Sequence, residues 1–225
     1  MTYLFDGQLQ RYYYDLHGIQ YNYYAVVKEG GRFVLKPKLD VPENRFYLKK
    51  LIHIYEGKLN DIGDTDRSLS KRWFENPHNS GKVKRLTNHL YNYYRNVTNA
   101  SADIFLWTIF KDFKKKIQGK GFIKEEPKDN TEPIGQACFT AFNLRATNKY
   151  RHKTVLAFCL NRYMNPFEKR FFSQHNVQVD EDLLALSDLL QWVFRSAVRD
   201  GKPDQLYVPS KRMRTLLVKW LNSEI

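Results

Sequence analysis

Cysteine is scarce in this 225-residue chain, where Cys138 and Cys159 stand alone. Their spacing excludes a disulfide framework and a cysteine-built metal site, and a reducing compartment is the simpler expectation. The six histidines show no metal-ligand spacing, so no metal is expected. No uninterrupted apolar run approaches the ~18 residues of a membrane-spanning helix. The opening MTYLFDGQLQRYYYD lacks the apolar core of a secretory signal. A soluble, intracellular protein with no membrane partner is therefore expected. Also missing is a phosphate-cradling G-x-x-x-x-G-K-S/T loop, because Gly119-Lys120-Gly121 is followed by Phe122 where Ser or Thr is required. ATP hydrolysis by this chain alone is not expected.

Acidic residues are outnumbered. The chain holds 24 Asp and Glu against 37 Lys and Arg, a net charge of +13, with a pI near 9.6. Such a balance favours an acidic partner, most often nucleic acid. From Arg67 to Lys124 there are 13 Lys and Arg against Glu75, Asp103 and Asp112, so this quarter of the chain carries +10. A charge run is usually a solvated face, but here Trp73, Phe74, Tyr91, Tyr93 and Tyr94 interleave it, and such rings stack on bases. The 42% apolar and 15% aromatic fractions belong to a folded protein.

Along the chain, residues 1–42 read as short strands and turns, with Tyr12, Tyr13, Tyr14, Tyr21, Tyr23 and Tyr24 suited to strands and Gly30-Gly31 to a turn. Asn44 should cap a helix through Leu48, Leu51, Ile52 and Tyr55, closed by Gly57. A further helix is expected from about Lys82, with Val83, Leu86, Leu90 and Tyr94 inward. Ile104-Phe105-Leu106-Trp107, ending at Thr108, has the length of a buried strand. The following Phe110, Phe113 and Ile117 predict a helix with Lys111, Lys114 and Lys115 on a basic outer side. The KEEPKDNTEPIG stretch over 124–135 reads as a mobile loop. Two apolar runs follow, 137–142 and 154–160, around the polar turn 143–148. A helix after Asn165-Pro166 should turn Phe167, Phe171 and Phe172 inward. Asp180-Glu181-Asp182 suits a helix N-terminus. Gln205–Val208 reads as a strand, and Ser210 as the cap of a helix burying Met213, Leu216, Leu217, Trp220 and Leu221. Strands followed at once by helices define an α/β protein. The expected division is an aromatic-rich N-terminal region, 1–81, and a main domain, 82–225.

Two groups of residues carry the chemical expectation. At about 3.6 residues per turn, Ser187, Gln191, Arg195 and Arg199 stack on one side of a helix expected to run to Gly201. That helix is apolar on most of its circumference, and buried cations require an anion. The anion is either a protein carboxylate or a phosphate. In the last helix, Lys211, Arg212 and Arg214 crowd the first turn, where exposed amides and cations together suit a phosphate. The alternative there is neutralisation by Asp200 or Asp204. Glu126-x-Lys128 echoes a metal-dependent nuclease pair, but Pro127 and its loop setting argue against a catalytic strand.

The succession IFLWTIFKDFKKKIQGKGF, FNLRATNKYRHKTVLAFCLNRYMNP, LSDLLQWVFRSAVRDG and LYVPSKRMRTLLVKWL resembles the C-terminal part of phage- and plasmid-borne helicase-like proteins, over about residues 82–222. These are similar to superfamily 2 helicases, whose second RecA-like domain carries a late helix of pattern Q-x-x-G-R-x-x-R. The resemblance implies a RecA-like domain that binds nucleic acid, with DNA ranked ahead of RNA. It places Gln191, Arg195 and Arg199 at ATP and Mg held by a separate Walker A domain. Arg199 falls one residue late, at the place after Val198, and Phe194 stands where the family has glycine. The resemblance places Thr108, Thr147 and Asn148 near the nucleic-acid backbone, and Arg145 lies in the same turn as the last two. It also implies the cytoplasm of a bacterial cell or phage-infected host. The alternative is a stand-alone nucleic-acid-binding protein of phage or plasmid origin without motor activity.

Overall fold

The computed structural model describes residues 4–41, 43–127, 135–144 and 147–225. Its centre is a parallel sheet of β3 (Ile52–Ile54), β4 (Phe105–Thr108), β5 (Val155–Phe158) and β6 (Asp204–Tyr207), in the order β3-β6-β5-β4. Every residue of β4 and β5 is buried. The continuous apolar runs FLWT and VLAF suit strands covered on both faces, as parallel sheets require. Side chains alternate between two layers. Phe105, Trp107, Val155, Ala157 and Tyr207 pack with α4 (Ser80–Asn92) and α5 (Lys114–Ile117). Leu106, Leu156, Phe158, Leu206 and Val208 pack instead with α7 (Glu181–Val193) and α8 (Lys211–Leu221). The α/β class read from the sequence is the class observed.

Several expected elements have different bounds. Tyr12, Tyr13 and Tyr14 lie in a helix, α1 (Leu9–Leu16), not in strands. That helix buries Tyr12, whose hydroxyl accepts from the Asp180 amide at 3.1 Å. β1 (Tyr24–Glu29) and β2 (Arg32–Pro37) form an antiparallel hairpin. Gly30 and Gly31, at φ 55° and 83°, make the turn that needs positive φ at both positions. Asn44 caps α2 (Arg45–Leu51), accepting from the Tyr47 amide at 2.9 Å. This helix ends at Leu51, and Ile52–Ile54 leave it to pair with β6 instead of continuing to Gly57. The sheet therefore takes a strand from before residue 82, where a domain boundary was expected.

The Phe110–Ile117 helix shortens to a 3-10 turn, Lys111–Phe113, and the single turn α5. The run 137–142 contributes one parallel bridge, Trp107 to Phe139, outside β4. There the Trp107 amide donates to the Cys138 carbonyl at 2.7 Å. The loop expected over 124–135 falls largely on residues outside the described ones. α6 (Pro166–Gln174) forms after the Asn165 cap and buries Phe172, but Phe167 is 82% exposed and Phe171 39%. Phe172 packs on α1 through ring contacts with Tyr12 at 6.1 Å and Tyr13 at 5.0 Å, and half-exposed Phe171 also meets Tyr13, at 6.4 Å. Among the described residues, no helix is long and apolar enough to cross a membrane.

The largest departure concerns α7, which stops at Val193. The Arg195 and Ser196 amides donate three residues back, to Trp192 and Val193 carbonyls, and Ser196 has extended backbone. The Ser196 hydroxyl donates to the Val193 carbonyl at 2.6 Å, satisfying a last-turn acceptor from its own side chain. A separate 3-10 turn, Ala197–Asp200, follows. The stripe of Gln191, Arg195 and Arg199 on one helix does not form.

Candidate functional site

Sheet polarity divides the expected site residues. α7 runs back from the carboxyl ends of the strands to their amino ends, so Gln191, Arg195 and Arg199 end beside the start of β6. Gln191 donates to the Ser187 hydroxyl at 3.1 Å, and that hydroxyl donates to the Leu4 carbonyl at 3.1 Å. Arg195 is buried, close enough to Tyr150 for its charge to favour the phenolate, although burial dominates and raises the Tyr150 pKa. Arg199 is exposed and donates to the Asn148 side chain. Thr147, beside it, accepts from the Lys149 amide at 3.4 Å. Arg145 lies outside the described residues. The fold brings Arg199 and Asn148 together, which no feature of the sequence predicts, while Arg195 faces the interior.

The same edge holds further buried titratable groups. Asp204 is 1% exposed, and burial pushes its carboxyl up to about 7 against the hydrogen bond with Ser196. Lys153 is fully buried, donates to the Ala102 carbonyl at 3.2 Å, and has its pKa lowered by burial. The Cys138 thiol donates to the same carbonyl at 3.3 Å, and burial raises its pKa. Such a thiol is a poor nucleophile, since thiolate is the reactive form.

Over much of the carboxyl edge, where ligands bind in open α/β sheets, the chain covers itself. Asn161, fully buried just after β5, donates to the Asp66 and Ser68 carbonyls at 2.7 and 3.0 Å. Its amide donates to the Leu69 carbonyl at 2.8 Å. A Cβ on Gly63 would stand 2.0 Å from the Pro209 carbonyl, so this loop lies directly against the start of α8. Arg212 donates to the Asn161 side chain, the Arg162 carbonyl, the Glu181 carbonyl and Asp182. It also lies 4.3 Å over the Tyr163 ring. Arg214 donates to the Val208 and Pro209 carbonyls at 2.8 and 3.2 Å. Neither Asp200 nor Asp204 is among their partners; Asp182, the Asn161 side chain and backbone carbonyls hold Arg212, and backbone carbonyls and Glu56 at 3.8 Å hold Arg214. The phosphate site expected at α8 thus lacks two of its three cations, leaving exposed Lys211. The residues here do not form a nucleotide cradle. Thr108 is fully buried, and its hydroxyl has no hydrogen-bond partner among the described residues.

The basic residues behave differently. α3 (Lys71–Glu75), α4 and α5 form a layer over one sheet face, with α4 against α5 and Thr87 donating to the Lys116 carbonyl at 3.3 Å. Arg72, Lys82, Lys84, Arg95, Lys111, Lys115 and Lys116 are exposed on or beside it. Lys71, Arg85 and Lys114 pair with Asp112, Asp61 and Glu125. Trp73 and Tyr94, read as possible base-stacking rings, pack inward in this layer's core, while Tyr91 is exposed. Among the described residues, no cluster of three His, Cys, Asp or Glu could hold a metal.

Sequence reasoning missed Asn161 because it becomes notable only through what it faces. The available signal was a polar residue directly after an apolar strand, the same signal that singled out Thr108.

A model of the YonV C-terminal Rossmann-like domain matches residues 46–221. It begins in α2 and includes β3, so it takes in all four parallel strands. The chain is 43% identical over 232 aligned positions to the SPbeta prophage-derived uncharacterized protein YonV of Bacillus subtilis (strain 168). That alignment covers 100% of this chain and 52% of the relative, so the chain spans about half the relative's length. No solved structure matches. With a four-stranded parallel sheet between helical layers and a family match across it, the chain belongs to the family of YonV C-terminal Rossmann-like domains.

Proposed function

We propose that this domain binds nucleic acid, DNA ahead of RNA, through the helical layer of α3, α4 and α5. The observation that carries this reading is the gathering of exposed Lys and Arg from three elements onto one side of the sheet. The other helical layer opens α7 with Asp180, Glu181 and Asp182. Phosphate contacts release counterions, so affinity should fall as salt rises, with a log–log slope of about −0.9 per phosphate neutralised on duplex DNA. Fluorescence anisotropy with a labelled duplex tests this. Lys115→Glu with Lys116→Glu should weaken binding and flatten the slope by about 2. Affinity that does not respond to salt refutes the reading.

A narrower reading, a superfamily 2 helicase C-terminal-type module, rests on Arg199. It is the exposed member of the expected arginines, oriented by Asn148. In that reading Arg199 serves ATP and Mg held by a separate Walker A domain. Mixing the chain with such a protein and DNA should raise ATPase activity in an Arg199-dependent manner. Equal rates for wild type and Arg199→Ala would remove this role.

A further inference from the structure

A polar cavity of about 290 Å³ lies outside the carboxyl ends of β4 and β5. After β4 the chain turns to α5 in one layer, and after β5 to α6 and α7 on the other side, so the connections part here. Open α/β sheets bind ligands at such places. Phe142 and Asn143 form one wall, Arg162 and Glu168 come from the segment after β5, and Asp188 projects from α7. Gln8 and the leucines Leu9 and Leu184 complete it.

We infer that this cavity receives a nucleobase carrying an exocyclic amino group, guanine above all, from a strand held on the basic layer. The inference rests on the nucleic-acid reading for the strand, but the pocket chemistry stands separately. Its charged lining is Arg162 against Glu168 and Asp188, a net of −1. Arg162 already donates from Nε to Asp188 at 2.8 Å. A phosphate would therefore meet more negative than positive charge, whereas a neutral base meets carboxylate acceptors. The N1–H and N2–H groups of guanine match the two oxygens of one carboxylate. Glu168 at the first turn of α6 can take both, while thymine, with no amino group, cannot supply them. Phe142 provides an aromatic contact, with the Arg162 guanidinium 5.6 Å from the centre of the same ring, and a base stacks on either. Ring contacts lead from the pocket wall toward the basic layer. Phe142 meets Phe110 at 5.9 Å, Phe110 precedes exposed Lys111, and Lys114 lies 4.8 Å from the Phe139 ring.

Uncharged nucleosides isolate the pocket, because they gain nothing from surface cations. Titration of the intact chain with guanosine, followed by saturation-transfer NMR, should show binding that thymidine does not. With oligo(dT) carrying a single dG, affinity should exceed that of plain oligo(dT) by about tenfold. Glu168→Gln should remove that preference, because the amide offers one acceptor and opposes N1–H with a donor. Phe142→Ala should weaken guanosine and the dG oligonucleotide together. Salt-dependent oligonucleotide binding with no nucleoside signal and no dG preference overturns the pocket and leaves the nucleic-acid reading intact. Guanosine binding without any oligonucleotide binding has the opposite effect, removing the nucleic-acid reading while the base pocket stands.

Discussion

Asp204 makes the stability of this domain depend on pH in a direction opposite to that of most carboxylates. It opens β6 at 1% exposure, with Oδ2 against the Ser196 hydroxyl. That hydroxyl gives its one proton to the Val193 carbonyl, so the protonated carboxyl donates to Ser196, and Oδ1 has no side-chain partner among the described residues. Burial raises its carboxyl from an ordinary 3.8 to about 7. Because the folded state holds the proton more tightly than the unfolded state, stability from this group is fully present below pH 3.8. It is lost as pH rises through about 7. Integrating between those values at 1.36 kcal/mol per unit, the loss between pH 5 and 8 is about 2–3 kcal/mol. Asp204→Asn keeps a hydrogen-bonding group against the Ser196 hydroxyl and carries no charge. Urea unfolding of both proteins at pH 5, 6, 7 and 8 isolates the group, since other titrations cancel in the difference. The variant should gain on wild type steadily across that range, by about 2–3 kcal/mol in total. A difference that stays constant, or shrinks with rising pH, refutes the assignment of a buried, neutral Asp204.

Other expectations follow from single contacts. Asn161→Ala strips partners from two carbonyls and from the Arg212 guanidinium inside the fold. It should cost about 2–4 kcal/mol in urea unfolding, and a loss under about 1 would show that water replaces the amide. Ser210→Ala removes the buried cap that accepts from the Met213 amide at 3.4 Å, so the melting midpoint should fall by the equivalent of about 1 kcal/mol. Leu190→Ala, fully buried beneath the sheet, should cost about 3 kcal/mol, and a much smaller value would mean that the layer collapses onto the gap.

Local chemistry made several elements legible before any coordinates. The strand Phe105–Thr108 and the caps Asn44, Asn165, Asp180 and Ser210 depend on groups within a few residues of one another. α1 was misread because aromatic residues favour strands only where a pleated surface exists to receive them, and Tyr12 is received by Phe172 and the start of α7. α7 was read too long because its apolar pattern continues past Val193, while its end is set by Ser196 and by Asp204 from another element. That single break takes Arg195 and Arg199 off the common helix face on which the apolar periodicity alone places them.

Composition and periodicity by themselves determined an α/β protein with strongly basic charge, a buried strand ending at Thr108, and an amphipathic last helix, since each depends on neighbours in sequence. Tertiary structure alone decided that β3 joins the sheet, that Arg212 serves Asn161 and backbone carbonyls, and that the cations of 71–116 share one side. The physical reason is that a charged side chain is assigned by whichever partner lies within hydrogen-bond reach. For Arg212 those partners lie some 30 to 50 positions away along the chain.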